Sequence, residues 1–216
     1  MEKHLVVGAD PFPPYQYIDE DGKIKGSDYE IIKNVLDDMG YEAEFIIREW
    51  PEIEKMFNAK KIDIVFQVQK TPEREKRYYF SEKLRDAVTV IVTSTNKTIK
   101  CNSLEELVHM IIKNKWKLGV MKGYHYGKII DSIPKEYKVS FDTTEELLEA
   151  VNNDRVDLAV VDLGVFKYYK EKYGYSNLNI IENASFNRPL YVIFNDPSLR
   201  DEFNTYLRKY LKEHAG

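Results

Sequence analysis

The sequence predicts an α/β fold, because apolar strand patterns alternate with amphipathic helix patterns along the chain and one helix-into-strand passage recurs. The recurrence sets Lys61-Ile62-Asp63-Ile64-Val65 beside Arg155-Val156-Asp157-Leu158-Ala159, each after a helical stretch. It reads either as two common βα units or as two similar lobes. A length of 216 residues accommodates one ordinary domain or two small lobes sharing a hinge.

Each element has its own local reason. Leu5-Val6-Val7 is a short buried strand, entered at once from Met1-Glu2-Lys3-His4, and Gly22 and Gly26 punctuate a polar hairpin-like stretch. From Asp28, Ile31, Ile32, Val35, Leu36 and Met39 share one helical face, with Gly40 placed as its C′ stop. Glu44 to Ile47 is the next strand, then a helix around residues 51–57, then the strand Ile62 to Phe66. Thr71-Pro72-Glu73 has the composition of a helix start, a hydroxyl cap followed by proline. Residues 87–93 form a further β-rich run, so this half builds an open, mostly parallel sheet. The second half repeats the logic. Leu104, Leu107, Val108, Ile111 and Ile112 mark a helix, and Leu118 to Met121 a strand. Thr143 and Glu146 form a capping-box pattern, Val156 to Val161 a strand, and residues 165–171 a Tyr-rich helix. Pro189 to Phe194 is a late strand, and Asp196-Pro197 opens a final helix bearing Leu199, Phe203, Leu207 and Leu211 on one face.

Composition narrows the function. With 43% hydrophobic and 31% charged residues the chain has the balance of a globular protein. Its 32 basic and 36 acidic residues are interspersed, and no basic stripe argues for nucleic acid. Cys101 is the sole cysteine, which rules out an internal disulfide. No signal-peptide core and no apolar run of transmembrane length is present. The chain is therefore either cytoplasmic or a mature domain without its targeting or anchoring segment.

Several side chains stand out on chemistry. Counting Thr71 as N-cap puts Arg74 at the third helical position, where a planar guanidinium suits a carboxylate; the plain alternative is a salt bridge to Glu73 or Glu75. Asp162 directly follows a strand and either meets a ligand ammonium or caps the next helix. Asp10 either approaches a polar or cationic ligand end or terminates the first strand through a local hydrogen bond. Gln67 and Gln69 alternate on an extended segment, where period-two geometry points both the same way. Gly123 fits a tight turn after a strand, and Tyr124 and His125 either wall a pocket, stack on a ligand or face outward. An isolated histidine is not a metal site, and no cofactor motif is present.

The chain resembles the bacterial extracellular solute-binding proteins of family 3, the polar amino-acid binders of ABC uptake systems. The resemblance rests on Asp10-Pro11-Phe12-Pro13-Pro14-Tyr15, Gly22 through Asp28, Ala59-Lys60-Lys61-Ile62-Asp63, Thr71-Pro72-Glu73-Arg74 and Phe80-Ser81. In the second half it rests on Leu118 through Gly123, and on Arg155-Val156-Asp157 with Asp162 beyond. It implies a two-lobed type II periplasmic-binding-protein-like fold, a Venus flytrap with two hinge crossings. Residues 1–92 and 187–216 would form lobe one, and 93–186 lobe two. It also implies that Arg74 grips a ligand α-carboxylate, that Asp162 accepts from the α-ammonium, and that Phe12 and Trp50 sandwich the ligand side chain, with core packing in lobe one the plain alternative for these two rings. Two departures set this chain apart: Gln69 stands where threonine or serine is common, and Tyr124-His125 replace the usual small hydroxyl pair, with Thr71 still available as cap or donor.

The resulting expectation is a monomeric, non-enzymatic binder outside the cytoplasm, closing on a small polar amino acid or a related carboxylate or amine. It would deliver that solute to an ABC permease. A chain stopping soon after Lys212 raises the alternative of a sensor module attached to a membrane-bound signalling protein. A dehydratase or hydrolase on the same fold would instead use Asp10, Asp162 or His125 for proton transfer.

Overall fold

The computed structural model describes residues 3–215. Met1, Glu2 and Gly216, on which the readings of the two termini drew, lie outside the described residues. The chain divides into two compact units, one formed by residues up to Asp86 and from Pro189 onward, the other by Ala87–Arg188. The dividing points fall at 86/87 and 188/189 rather than near 92/93 and 186/187. The reason is local: the strand Arg85–Ser94 pairs within unit two from Thr89 onward, well before residue 93.

Unit one opens with β1 (His4–Ala9), the two-stranded hairpin β2 (Tyr17–Ile18) and β3 (Ile24–Lys25), and α1 (Ser27–Met39). β4 (Glu42–Ile47), α2 (Trp50–Asn58), β5 (Ile64–Gln69), α3 (Pro72–Arg77) and β6 (Tyr79–Phe80) follow. β7 (Arg85–Ser94) enters unit two at Ala87, and α4 (Leu104–Asn114), β8 (Leu118–Met121), α5 (Lys128–Asp131), β9 (Lys138–Phe141), α6 (Thr144–Asn152), β10 (Leu158–Asp162), α7 (Leu163–Tyr173) and β11 (Leu178–Ile180) follow there. The chain returns through β12 (Phe186–Phe194) and ends in α8 (Pro197–Glu213).

In unit one β1 lies parallel between β4 and β5, while β12 runs antiparallel to β5 and β6 antiparallel to β12. In unit two β8 lies parallel between β10 and β9, and β7 runs antiparallel to both β10 and β11. Each sheet is thus a parallel core closed by antiparallel strands.

The sheet of unit one is covered on both faces. Val7, Ile64 and Phe66 pack with Ile32, Val35 and Leu36 of α1 and with Phe203 and Leu207 of α8. Val65, Val68 and Ile193 pack on the other face with Ile53 and Phe57 of α2. In unit two Leu118, Val120, Leu158 and Val160 pack against Leu107 and Ile111 of α4, with the buried Cys101.

The recurring sequence is a recurring structure. Asp63 accepts a 2.9 Å hydrogen bond from the Val6 N–H through its carboxylate, while its own N–H donates to the Val6 carbonyl at 2.8 Å. Asp157 does the same to Lys117, at 2.7 and 2.9 Å. Three residues before each aspartate, Lys60 and Asp154 adopt φ near +60° to leave the preceding helix. Each aspartate closes the end of a parallel strand pair where the backbone ladder has not begun, which is why β5 starts at Ile64 and β10 at Leu158, two residues later than the apolar runs predict.

Cap chemistry is realised where the sequence placed it. Thr71, Thr143 and Asp196 accept from the N–H groups of Arg74, Glu146 and Ser198, and Gly40 ends α1 at φ +84°.

Candidate functional site

The carboxyl ends of β1 and β5 are neighbours in the unit-one sheet, in the register Gly8 to Val65. Asp10 and Gln67 each follow two residues beyond that last pair, at the carboxyl edge of an open parallel sheet where ligands gather.

After Asp10 the chain makes a closed turn: the Phe12 N–H donates to the Gln16 carbonyl at 2.8 Å, and the Tyr15 N–H to the Phe12 carbonyl at 2.9 Å. The turn is fastened to α1 because the Asp28 N–H donates to the Tyr15 carbonyl at 2.9 Å. Gly26 makes that approach possible. Its φ is +133°, and a Cβ there would lie 2.1 Å from the Tyr15 oxygen. Arg85 completes the fastening, with Nε bonded to both Asp28 oxygens at 2.8 and 3.0 Å and its guanidinium carbon 3.7 Å from the Tyr15 ring centre. Phe12 is buried on this turn, stacked with Tyr15 at 5.8 Å between ring centres.

Arg74 is the third residue of α3, as the Thr71 cap predicts, and the cap bond from its N–H to Thr71 Oγ1 is 3.1 Å. Its Nη1 donates to the Gln69 carbonyl at 2.8 Å, and its guanidinium lies over the Trp50 ring, 5.1 Å from the centre. Trp50 is the first residue of α2 and packs on the Ile53 and Phe57 cluster. No salt bridge to Glu73 or Glu75 forms; the side chain is held by a carbonyl and an aromatic face. One of five guanidinium N–H groups is used by Gln69, leaving a charged donor fork. Because α3 has only six residues, the guanidinium rather than a long helix dipole supplies the positive charge.

Asp10 has the strongest electrostatic perturbation nearby. Burial raises its carboxyl to a pKa of about 7; its own backbone N–H opposes this, the Glu49 carboxylate adds to it, and Arg74 partly offsets it.

Gln67 departs from the expected alternation. Its φ is +60°, and the β5–β12 register shifts between Tyr191 and Ile193, which marks a β-bulge. Ile64 and Phe66 face one core and Val65 the other, yet Val68 joins Val65, so side-chain parity inverts at Gln67. The period-two argument that put Gln67 and Gln69 on one face therefore fails. What Gln67 gains instead is a partner that the sequence did not suggest. Gln16 is fully buried, and its Nε2 donates to the Asp10 carbonyl at 3.0 Å and to Gln67 Oε1. Gln16 Oε1 is buried without a hydrogen-bond partner among the described residues. The sequence offered no signal for Gln16, since a glutamine in a Pro-rich turn looks like an exposed polar residue.

In unit two, Asp162 is buried and caps α7, its Oδ1 accepting from the Val165 N–H at 3.0 Å. The capping alternative is thus realised, and one carboxylate oxygen carries it. Gly123 has φ +80° after β8, and the Tyr124 N–H turns back to the Met121 carbonyl at 3.2 Å. Tyr124 is half-buried on the unit-two core, its ring 6.0 Å from that of Tyr126. Tyr126 is buried, its hydroxyl accepting from the Met121 N–H at 2.9 Å, and burial pushes its phenol well above the ordinary range. His125 is exposed, with Nδ1 3.8 Å from an Asp131 oxygen, while its carbonyl accepts from Arg188 at 3.0 Å. Among the described residues no cluster of His, Cys, Asp or Glu could hold a metal ion, and no helix is long and apolar enough to cross a membrane.

Comparison with known proteins supplies the context for this geometry. Residues 5–214 match the bacterial extracellular solute-binding proteins, family 3. A probable amino-acid ABC transporter-binding protein of Haemophilus influenzae is 30% identical over 173 residues, covering 78% of this chain and 64% of that protein. The L-cystine-binding protein TcyA of Bacillus subtilis is 28% identical over 214 residues, covering 97% of this chain and 75% of that protein. Among solved structures, an ancestral arginine-binding protein bound to arginine superposes with a TM-score of 0.81 at 25% identity, over 99% of this chain and 94% of that one.

Proposed function

The chain belongs to the bacterial extracellular solute-binding proteins of family 3, and we propose that its solute is an α-amino acid held by a charge clasp. Arg74 of unit one takes the α-carboxylate, and Asp162 of unit two takes the α-ammonium. Asp10, Phe12, Trp50, Gln67, Gln69 and Thr71 receive the rest of the ligand on unit one. Gly123, Tyr124 and His125 contribute from unit two. In this reading the hinge is the passage of the chain between the two units, and their division at 86/87 and 188/189 supports it. Binding favours a closed conformation rather than lowering a chemical barrier.

The observation that carries this reading is the state of Arg74. Its guanidinium is oriented by the Gln69 carbonyl and the Trp50 face, yet most of its N–H donors have no hydrogen-bond partner among the described residues. A side chain fixed this way needs little further ordering to bind a carboxylate. By relation to the family, the solute is delivered to an ABC permease from the periplasmic or extracellular side.

Calorimetric titration with the twenty common amino acids tests the proposal. Saturable one-to-one binding of at least one of them, lost in Arg74→Ala, is the expected result. Absence of binding to any amino acid would reject it. The Asp10 carboxyl, titrating near neutrality, is the group best suited to proton transfer and favours a catalytic alternative. Recovery of a chemically changed solute after incubation would establish that alternative, and recovery of intact solute would exclude it.

A further inference from the structure

We infer that Gln67, positioned by the buried Gln16, sets ligand choice in this chain and selects an amino acid whose side chain ends in a neutral carboxamide or ureido group. The inference rests on the binding of an amino acid through Arg74 proposed above.

Hydrogen-bond polarity forces the orientation. The Asp10 backbone carbonyl can only accept, so Gln16 must turn its amide N–H₂ toward it, as the 3.0 Å contact shows. The second hydrogen of that group then meets Gln67, which must present its own oxygen. Gln67 Oε1 thereby accepts from Gln16, and its Nε2 is left with two donors that no hydrogen bond among the described residues uses. A flipped Gln67 would set N–H against N–H. A flipped Gln16 would set oxygen against the Asp10 carbonyl.

Two costs accompany the arrangement. Gln16 Oε1 is sealed from solvent without a partner among the described residues, and Gln67 holds a left-handed backbone conformation that L-residues avoid. An apolar residue at 16 and a glycine at 67 would remove both. Such outliers gather where a side chain must be aimed.

Asp10 adjoins Gln67 through its main chain, whose carbonyl receives the same Gln16 amide that reaches Gln67, and its carboxyl is within electrostatic reach of Glu49 and Arg74. The pair offers donors from one residue and an acceptor from the other. A carboxamide or ureido group matches both: its carbonyl accepts from Gln67, and its N–H donates to Asp10. A guanidinium or ammonium end carries donors only and meets the Gln67 N–H groups. A carboxylate end meets Asp10 and Glu49. Each charged side chain is therefore opposed by one member of the pair, and discrimination comes from the mismatch as much as from the match.

Titration calorimetry with L-glutamine, L-citrulline, L-arginine and L-glutamate on the wild type, Gln67→Gly and Gln16→Met tests the inference. Glutamine or citrulline should bind the wild type at least tenfold more tightly than both arginine and glutamate. Gln67→Gly should reduce that ratio below threefold. Gln16→Met, which frees Gln67 to turn its amide, should lower the ratio at least fivefold without lowering the melting temperature. A merely structural Gln16 would leave the ratio unmoved, which would overturn its positioning role. Arginine or glutamate binding as tightly as the amides, with binding still lost in Arg74→Ala, would overturn the inference while the amino-acid proposal stands. Failure of every α-amino acid to bind would overturn both.

Discussion

Replacing Asp10 by asparagine should make the protein more stable at pH 8 while leaving its stability at pH 4 nearly unchanged. The carboxyl has a pKa of about 7 in the fold against 3.8 in the unfolded chain. Between those values the folded protein holds a proton that the unfolded chain has released. Stability contributed at this position is therefore highest below pH 4 and falls as pH rises toward 7. Each tenfold difference in proton affinity between the two states corresponds to about 1.4 kcal/mol, which sets an upper limit of about 4 kcal/mol. The side chain is only half-buried, so solvent screening reduces the recoverable part to about 1–2 kcal/mol. Asparagine is neutral throughout and retains the backbone carbonyl that receives Gln16. For a chain of this size the gain corresponds to about 3–6 °C in melting temperature. Differential scanning calorimetry of both proteins from pH 4 to 8 reads it directly. Melting curves that stay parallel across the range would refute a desolvated carboxyl at this position.

Three further outcomes follow from named contacts. Arg74→Lys keeps the charge but loses the planar fork, and calorimetry should show amino-acid affinity reduced about 100-fold or more, equivalent to about 3 kcal/mol, with the melting temperature within about 3 °C of wild type; affinity within threefold would contradict the carboxylate role. Asp162→Asn retains an oxygen to cap α7, so urea unfolding should change by under about 0.5 kcal/mol, while amino acids lose affinity about 30-fold and their des-amino analogues do not. Equal losses for both ligand classes would remove the ammonium assignment. Asp63→Ala and Asp157→Ala each delete a carboxylate-to-backbone bond, and each should cost about 1–2 kcal/mol in urea unfolding without altering ligand selectivity; a change in selectivity would show that these residues do more than close strand ends.

Local rules made much of the architecture readable. Thr71, Thr143 and Asp196 carry their own cap oxygens, Gly40 tolerates the left-handed stop, and the α1 face repeats at helical spacing, so each signal lies within a few residues of its effect. Three short elements were not readable. β9, β11 and α5 are three or four residues long, too short to build a period, and they form because neighbouring strands and helices supply partners. Arg74, with its cap and its position, could be read from the chain. Its orientation could not, because Trp50 and the Gln69 carbonyl reach it only once α2 and β5 have packed. The same limit hid the Gln16–Gln67 pair, which is 51 residues apart in sequence and depends on a bulge that reverses side-chain parity.

The most direct test is titration of the wild-type chain with its best-binding amino acid and two truncated forms of it, one without the α-ammonium and one without the α-carboxylate. The account predicts tight binding of the intact zwitterion and affinity at least 100-fold weaker for each truncated form, because each leaves Asp162 or Arg74 without its counter-charge. Binding of either truncated form as tight as that of the parent would contradict it.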